Sequence, residues 1–234
     1  MTTGEQSGKA PIVTAEGVTK TFGRGGSAMQ VLKGASLSVQ PQPLVAIKGR
    51  SGSGKTTLLN LLGALDRPTE GTVRFLQTDI GGLSDGKRTR LRRTGIGLIF
   101  QSFALVPTMS AYENVEFALR IARVPLAGRR GMAEHALELV GLKDRMKHRP
   151  LEMSGGEQQR VAIARAIAHK PSLILSDEPT AELDSRTGLQ IMKVFIDLVR
   201  REGMTIVLTT HDAAVMELAD HVHVLEDGRI VEER

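Results

Sequence analysis

The sequence predicts an α/β fold whose core is a mixed, mainly parallel sheet. Four short apolar segments, "PLVAIKG", "GIGLIF", "SLILSD" and "MTIVLTT", are rich in branched residues and alternate little with polar ones. Such segments are typical of strands that are buried on both faces of a parallel sheet. Two segments nearer the N-terminus, "IVTAEGVTKTF" and "VLKGASLSV", are β-rich or alternating and are joined by a glycine-rich link at residues 23–26. They predict an antiparallel N-terminal β subdomain.

Helical segments occupy the middle of the chain. "SAYENVEFALRIA", "RRGMAEHALELVG" and "GEQQRVAIARAIAHK" have helical patterns, with Ser110 and Gly141 as start and stop signals. No strand is predicted between them, so we expect an inserted α-helical subdomain over residues 101–170, within a core formed by residues 12–100 and 171–234. The C-terminal "HVHVLEDGRIVEE" predicts a hairpin that turns at Asp227-Gly228. Residues 1–11 are expected to be a disordered lead-in to this single domain.

Composition narrows the class of protein. The chain has 234 residues, no cysteine and a formal net charge of +5. It has no apolar run of the roughly 20 residues that a membrane-spanning helix needs, and its start lacks the apolar core of a secretory signal, so we expect a cytosolic location. Aromatic residues make up 3%, which disfavours a base-stacking platform for nucleic acid. The densest basic cluster, "KRTRLRR" at residues 87–93, is interpreted as a solvated helix face, with a nucleic-acid contact as the weaker alternative.

A complete phosphate-binding motif follows the first of the apolar segments. Gly49-x4-Gly54-Lys55-Thr56 matches G-x-x-x-x-G-K-[ST], in which backbone N–H groups surround phosphate oxygens, the lysine adds positive charge and the hydroxyl ligates Mg²⁺. A predicted strand precedes the loop and the helix-like "TTLLNLLGAL" follows it, which is the context that the motif requires. We therefore predict a P-loop NTPase core of the RecA-like type. Its phosphate-binding residues are Gly49, Arg50, Ser51, Gly52, Ser53, Gly54, Lys55 and Thr56.

Polar residues follow further predicted strands. Asp177 and Glu178 come directly after "LILS", where Asp177 is suited to hold Mg²⁺ and Glu178 to polarise an attacking water. His211 follows "TIVLTT" and is a candidate γ-phosphate sensor, the alternative being a structural or idle histidine. Gln101 ends "IGLIFQ", where its side-chain oxygen could complete a Mg²⁺ shell or place a water. Because ligands bind at the carboxyl ends of strands in open α/β sheets, these residues are expected near the P-loop.

A second phosphate-binding pattern lies much further along the chain. In "LEMSGGEQQRVAIARAIAHK", the turn Ser154-Gly155-Gly156 leads straight into an alanine-rich helix. This arrangement places bare N–H groups and a hydroxyl at a helix N-terminus, where anions bind. One domain that binds one nucleotide does not need two phosphate-binding patterns, the P-loop and this turn.

Taken in order, the P-loop, "SGGEQQR", "LILSDEPT", "ELDS" and "TTHD" resemble the ATPase subunit of an ABC transporter, over nearly the whole chain from about Val13. The segment "IFQSFALVPTMSAYENV" is most similar to the lipoprotein-release and macrolide-efflux branch. The resemblance implies ATP and Mg²⁺ as cofactors, a Walker A loop at residues 49–57 and a D-loop at residues 181–184. It implies catalytic roles for Lys55, Glu178 and His211, Mg²⁺ binding by Thr56, Gln101 and Asp177, and ATP contacts from Phe22, Thr57, Gln101, Ser154, Gly155, Gly156, Glu157 and Asp184.

The resemblance also implies partners. Two copies would face each other head to tail, so that Ser154-Gly155-Gly156 of one caps the γ-phosphate of the ATP held by the P-loop of the other. The "SFALVPTMSAYENV" region and the helical insert would grip a membrane permease at the inner face of the cell membrane, for export or extraction of an amphiphilic or lipid-linked substrate. No nucleic acid partner is expected.

Two alternatives remain open on the sequence. A soluble ABC-type ATPase acting on nucleic acid or ribosomes is disfavoured by the single P-loop and the short insert. A regulator that binds ATP without hydrolysing it is disfavoured by the presence of Glu178 and His211. The chain departs from the family pattern at Lys48, Met153, Ser176 and Ala181-Glu182, and none of these changes removes a catalytic group.

Overall fold

The N-terminal part of the chain forms an antiparallel sheet. In the computed structural model, which describes residues 10–234, β1 (Val13–Phe22) lies between β2 (Met29–Val39) and β4 (Glu70–Phe75), and β5 (Thr78–Asp79) extends the sheet beyond β4. All pairings in this sheet are antiparallel. This confirms the predicted N-terminal β subdomain. Most of the predicted lead-in, residues 1–9, lies outside the described part of the chain.

The second sheet forms the core and is mainly parallel. Its strand order is β10-β9-β3-β8-β7-β6, and only the edge pair β9–β10 is antiparallel. That edge pair is the predicted C-terminal hairpin, with Asp227 and Gly228 both at positive φ in its turn. The strands are β3 (Leu44–Lys48), β6 (Ile96–Ile99), β7 (Leu173–Ser176), β8 (Thr205–Thr210), β9 (His221–Glu226) and β10 (Arg229–Glu233).

Helices surround the second sheet. Three consecutive ones, α3, α4 and α5, lie between β6 and β7, pack on one another and have no strand between them. The predicted α/β class with a helical insert is therefore confirmed. The helices are α1 (Lys55–Leu62), α2 (Asp85–Gly95), α3 (Ala111–Ile121), α4 (Leu126–Leu139), α5 (Gly155–Ile167), α6 (Ser185–Glu202) and α7 (Ala213–Met216).

Strand β3 is buried between two hydrophobic clusters. Leu44 and Ala46 belong to the cluster that includes the helical insert and α6, whereas Val45 and Ile47 belong to the cluster that includes α1 and the antiparallel sheet. Successive side chains of a strand point to opposite faces, so both faces of β3 are covered. This burial explains why its sequence is apolar without alternation, and it fixes the strand from whose end the P-loop emerges.

The basic cluster of residues 87–93 lies on α2 and is only partly solvated. The Arg88 side chain is buried, and its Nε and Nη2 atoms donate to the carbonyl oxygen of Ala64 at 3.1 and 2.8 Å. Arg92 donates to the same carbonyl through Nη1. The interpretation as a solvated helix face is therefore wrong for these two residues. They bind the chain just beyond the C-terminal end of α1, where cations are favourable, and so hold the helix that follows the P-loop.

None of the helices within residues 10–234 combines the length and the apolar character that crossing a bilayer requires.

Candidate nucleotide-binding site

The P-loop adopts a backbone path that its glycines permit. Gly54 precedes α1 with φ of 104°, and a Cβ there would lie 2.9 Å from Leu32 Cδ2. A Cβ on Gly49 would meet Ser53 Oγ and would lie 2.6 Å from the carbonyl oxygen of Leu225. Side chains at these two positions would therefore fill or strain the loop, which explains the spacing of the motif.

The loop presents polar groups that suit phosphate. Among residues 10–234, the backbone N–H groups of Gly54, Lys55 and Thr56 donate to no other group, and the buried Ser53 hydroxyl has no hydrogen-bond partner. The N-terminus of α1 therefore offers unused donors and a positive dipole end, the arrangement that binds anions. A cavity of about 550 Å³ lies over residues 48–53, with His211 and residues 224–227 as its other walls.

Lys55 lies where the P-loop meets the end of β7. Its side chain is buried, and Nζ donates to the carbonyl oxygens of Gly49 at 2.8 Å and Arg50 at 3.2 Å. The same atom lies 3.2 Å from Glu178 Oε1. The predicted phosphate-binding lysine and the predicted base are thus in direct contact, so a phosphate held by Lys55 would lie beside Glu178.

Thr56 and Asp177 form an oxygen pair that suits Mg²⁺. Thr56 Oγ1 donates to Asp177 Oδ2 at 2.8 Å, and Thr209 Oγ1 donates to Asp177 Oδ1 at 2.7 Å. Mg²⁺ usually takes one or two protein oxygens together with waters and substrate phosphates. Within residues 10–234 no group of three or more His, Cys, Asp or Glu side chains could hold a metal by itself.

Glu178 is held in an unusual backbone conformation. Its φ is 43°, which is rare for a non-glycine residue and is found where tertiary contacts enforce it, often at functional sites. Its N–H group donates to Thr209 Oγ1 at 2.9 Å, and its Oε2 atom lies 3.1 Å from His211 Nδ1. The structure therefore brings together the predicted base and the predicted sensor histidine.

Thr209 was not among the predicted site residues. Its hydroxyl donates to the Asp177 carboxylate and accepts from the N–H of Glu178, so it orients both acidic residues at once. The sequence signal was the polar pair at the end of the otherwise apolar "TIVLTT", since a buried hydroxyl needs a partner.

Seven of the predicted residues do not join this cluster: Gln101, Asp184, Phe22 and the four residues 154–157, which are described below. Gln101 is exposed, and its Nε2 atom lies 3.4 Å from Glu182 Oε1. Asp184 accepts from the N–H of Thr187 at 3.0 Å and thereby caps α6. Phe22 lies at the end of β1 with 44% of its surface exposed, and Lys20 Nζ lies 5.0 Å from its ring centroid. One face of the Phe22 ring therefore already carries a cation, and a base would stack on the other.

Ser154 begins α5 with a capping box. Its N–H donates to Glu157 Oε2 at 2.9 Å, and the N–H of Glu157 donates to Ser154 Oγ at 3.3 Å. The hydrogen bond from the Ser154 backbone holds the pKa of Glu157 below its usual range, with further lowering from the Ser154 hydroxyl and Arg145. No hydrogen bond or ion pair of residues 10–234 links this turn to the P-loop.

The glycines after Ser154 have different surroundings. A Cβ on Gly156 would collide with Thr187 Cγ2 of α6, whereas a Cβ on Gly155 would lie 3.3 Å from the Leu183 side chain. Neither glycine N–H donates to a group in residues 10–234. The start of α5 therefore has ordered N–H donors that no group in residues 10–234 accepts from.

The departure at residue 176 leaves the site intact. Ser176 is fully buried in β7, its neighbours in register are Ile99 and Leu208, and its hydroxyl has no partner within residues 10–234. A buried hydroxyl without a partner costs stability, but the adjacent Asp177 keeps both of its hydrogen bonds.

Comparison with known proteins agrees with this geometry. The family model described as ABC transporter matches residues 32–181. The macrolide export ATP-binding/permease protein MacB of Azoarcus sp. is 45% identical over 94% of this chain, which spans 34% of that relative's length. The lipoprotein-releasing system ATP-binding protein LolD of Hahella chejuensis is 40% identical over 94% of this chain and 95% of the relative.

Solved structures show the same fold. The dimeric, post-hydrolysis structure of the ATP-binding cassette MJ0796, bound to ADP and Pi, superposes with a TM-score of 0.86 at 40% identity over 95% of this chain and 97% of that chain. These matches confirm the predicted family and fold class, and they agree with the expectation of ATP hydrolysis with ATP and Mg²⁺ as cofactors. The chain belongs to the ATP-binding proteins of the ABC transporter family.

Proposed function

We propose that this chain is the ATP-hydrolysing motor subunit of an ABC transporter and drives a membrane permease. The observation that carries the proposal is the convergence of Lys55, Thr56, Asp177, Glu178 and His211 at the carboxyl edge of the parallel sheet. Each of these side chains contacts another member of the set, although they come from separate segments of the sequence.

The residues of the set divide the chemistry among them. The P-loop N–H groups and Lys55 bind the phosphates, and Thr56 and Asp177 would hold Mg²⁺, which neutralises phosphate charge when bound. Gln101, the third predicted Mg²⁺ ligand, contacts Glu182 in this structure instead. Glu178 orients or deprotonates the attacking water, and His211 holds Glu178 and the γ-phosphate in position. Phosphoryl transfer depends mainly on positioning and charge stabilisation. The Thr209 hydroxyl, which donates to Asp177 and accepts from the N–H of Glu178, supplies the rigidity that positioning needs.

A second copy of the chain completes the site in this proposal. The N–H groups of Gly155 and Gly156 are unused and lie apart from the P-loop, so they suit the γ-phosphate of ATP on another copy. The dimeric cassette structures of MJ0796 support this arrangement. Residues 12–234 would act as one ATPase domain, with the core at residues 12–100 and 171–234 and the signature carried by residues 101–170.

A groove beside the insert is the proposed permease contact. It has a volume of about 360 Å³ and is lined by α2, β6, α3 and α5, with Phe100, Phe117 and Ile121 exposed along it. Arg93 Nε and His169 Nε2 also line it and are buried without a hydrogen-bond partner in residues 10–234. An element with an apolar face and a hydrogen-bond acceptor fits these groups.

The names of two relatives support the proposed direction of transport. MacB is named for macrolide export and LolD for lipoprotein release, which supports export or extraction of an amphiphilic or lipid-linked substrate. The subunit would then act in the cytoplasm at the inner face of the cell membrane. The nucleic-acid alternative is weakened because Arg88 and Arg92 of the basic cluster bind the Ala64 carbonyl.

Replacing the proposed base tests the ATPase. Glu178→Gln removes the carboxylate charge but keeps the shape, so ATP binding should persist, ATP-bound dimers should accumulate and hydrolysis should fall about 100-fold or more. Phosphate release and sedimentation velocity, each with and without ATP, measure these outcomes. Near-normal turnover would remove Glu178 from catalysis.

Substitutions in the groove test whether it binds a permease. Phe117→Asp places a charge in the apolar groove and should abolish recovery of a permease from detergent-solubilised membranes, whereas Leu126→Asp, at an exposed leucine outside the groove, should not. Basal ATPase activity should stay unchanged in both variants. Salt-sensitive retention of DNA or RNA in place of a permease would favour the nucleic-acid alternative.

A further inference from the structure

The most exposed large apolar side chain within residues 10–234 is that of Leu151, with 90% of its surface accessible. It lies in a 3-10 turn, Pro150–Glu152, that directly precedes Met153 and Ser154. Single exposed apolar residues are common on protein surfaces, so exposure alone assigns no role. The role is indicated by the ordered turn that holds this side chain.

The turn around Leu151 is anchored on both sides. Pro150 and Met153 are buried, the N–H of Arg149 donates to Glu152 Oε2 at 2.7 Å, and the N–H of Met153 donates to Pro150 O at 3.1 Å. Leu151 is therefore presented to solvent by an ordered turn. Because the backbone of the turn is already ordered, contact between Leu151 and a partner would cost little further conformational entropy.

The surface that carries Leu151 is continuous with the signature turn. The proposed function places Ser154, Gly155 and Gly156 against the nucleotide held by a second copy, and Leu151 comes three residues before Ser154. The neighbouring turn therefore faces the same second copy. Burial of this apolar side chain would be favourable if the second copy offered it an apolar surface.

Such a surface lies at the end of the β1–β2 pair. Phe22 and Met29 are partners in register, and both are exposed, Met29 to 63%. With Lys20 on one face of the Phe22 ring, the other face remains for the base of ATP. A base stacked there would itself keep one π-face in solvent.

We propose that Leu151 of one copy covers the base of the ATP that is stacked on Phe22 of the second copy, with Met29 of that second copy at the edge. This inference rests on the proposed head-to-tail dimer. It makes the base a part of the dimer interface, so that ATP stabilises the dimer through its base as well as through its phosphates. The dimer contains the contact twice.

Truncation of Leu151 measures the contact. In the Glu178→Gln background, Leu151→Ala should weaken ATP-driven dimerisation by about 10-fold or more, the effect of losing a buried leucine side chain. Leu151→Met should remain close to the parent, and Leu126→Ala, at a leucine that is 76% exposed, should match it. ATP binding to the monomer should be unchanged in all three. Inorganic triphosphate, which has no base, should drive dimerisation of parent and Leu151→Ala equally.

The outcomes separate the two proposals. If the Glu178→Gln parent does not dimerise with ATP, the head-to-tail dimer fails and this inference fails with it. If the parent dimerises and Leu151→Ala dimerises equally well, only the contact with the base is overturned. Normal dimerisation of Leu151→Ala with loss of permease-stimulated ATPase would assign Leu151 to the permease and also overturn the inference.

The absence of cysteine from the chain allows a positional test. A mixture of Leu151→Cys and Met29→Cys chains, both in the Glu178→Gln background, should form an inter-chain product with a short bis-maleimide only when ATP is present. Leu126→Cys mixed with Met29→Cys is the control and should give none. Absence of the Leu151–Met29 product in an ATP-bound dimer would place Leu151 away from the base.

Discussion

Two helices of the insert begin with the same motif and present different surfaces. Helix α3 begins after Ser110 and α5 after Ser154, and each start is a complete capping box with the glutamate three residues later. The N–H of Ser110 donates to Glu113 at 2.7 Å, and the N–H of Ser154 donates to Glu157 at 2.9 Å. The motif therefore fixes where each helix begins, but it does not by itself make an anion site.

The two residues that follow the capping serine decide whether the start of each helix has free N–H donors. In α3 the N–H groups of Ala111 and Tyr112 donate to the carbonyls of His148 and Met146 at 2.8 and 2.9 Å, so its first-turn donors are used within the chain. In α5 the corresponding residues are Gly155 and Gly156, whose N–H groups donate to nothing in residues 10–234. Donors at a helix N-terminus bind an anion only where the fold leaves them free.

The largest effect is expected from a substitution that blocks the free N–H groups of Gly155 and Gly156. Ser154→Arg should leave ATP binding to the monomer intact, because the P-loop lies elsewhere, and should lower ATP-driven dimerisation and hydrolysis by about 100-fold or more. Ser110→Arg removes the same kind of cap from α3 and should cost only about 1 kcal/mol of unfolding free energy, with hydrolysis retained. Equilibrium binding of a fluorescent ATP analogue, sedimentation and phosphate release measure these effects. Loss of monomer binding in Ser154→Arg would show that the turn serves its own subunit.

A smaller effect comes from the packing of Gly156. Gly156→Ala should lower the free energy of unfolding by about 1–3 kcal/mol, because the new Cβ collides with Thr187 Cγ2. Thr187→Ser removes that methyl group and keeps the hydroxyl that binds Asp184, so it should recover most of the loss in the double variant. Gly155→Ala is the matched control and should be close to neutral, since the new Cβ meets the ends of two side chains, Leu183 at 3.3 Å and Phe103 at 3.8 Å, rather than a clash of the kind at Thr187. Urea denaturation measures all four; equal losses at the two glycines would contradict the packing argument.

The smallest expected effect is a pH dependence that the two helices share. The pKa of Glu113 and of Glu157 is lowered from the ordinary 4.5, first by the backbone hydrogen bond from the serine of each capping box. A depressed pKa contributes stability that is present above the unfolded value of 4.5 and is lost as pH falls through the folded pKa. Glu113→Gln and Glu157→Gln should therefore have lower Tm than the parent at pH 7, and the difference should shrink below pH 4.5. A difference that stays constant with pH would mean that the carboxylate charge is not the stabilising group.

Much of the site could be predicted because its signals are local. The spacing of Gly49, Gly54, Lys55 and Thr56 encodes the P-loop path, and Asp177 and Glu178 stand at the end of a strand whose apolar run is visible in the sequence. The structure brings Lys55, Thr56, Asp177, Glu178 and His211 together as expected. Helix α6 was missed although its signals were present, with Asp184 as cap and Gly203 at the end.

Other features depended on contacts that no local pattern contains. Thr209 joins the site because β8 lies beside β7, which the strand order decides. Arg88 and Arg92 look like solvent-facing charges in the sequence, yet they bind the carbonyl of Ala64 near the end of α1. In each case the partner comes from a distant segment, so only the packed structure could supply it.

The sequence by itself determined most of the strands, the P-loop, the start of α3 after Ser110 and the candidate catalytic residues, because propensity, glycine spacing and short-range hydrogen bonds act within a few residues. Only the tertiary structure decided which donors remain free, as at Gly155 and Gly156, and which side chain is left outside, as at Leu151. Whether a group is used or exposed is set by what packs against it, and at these positions that depends on parts of the chain far away in sequence.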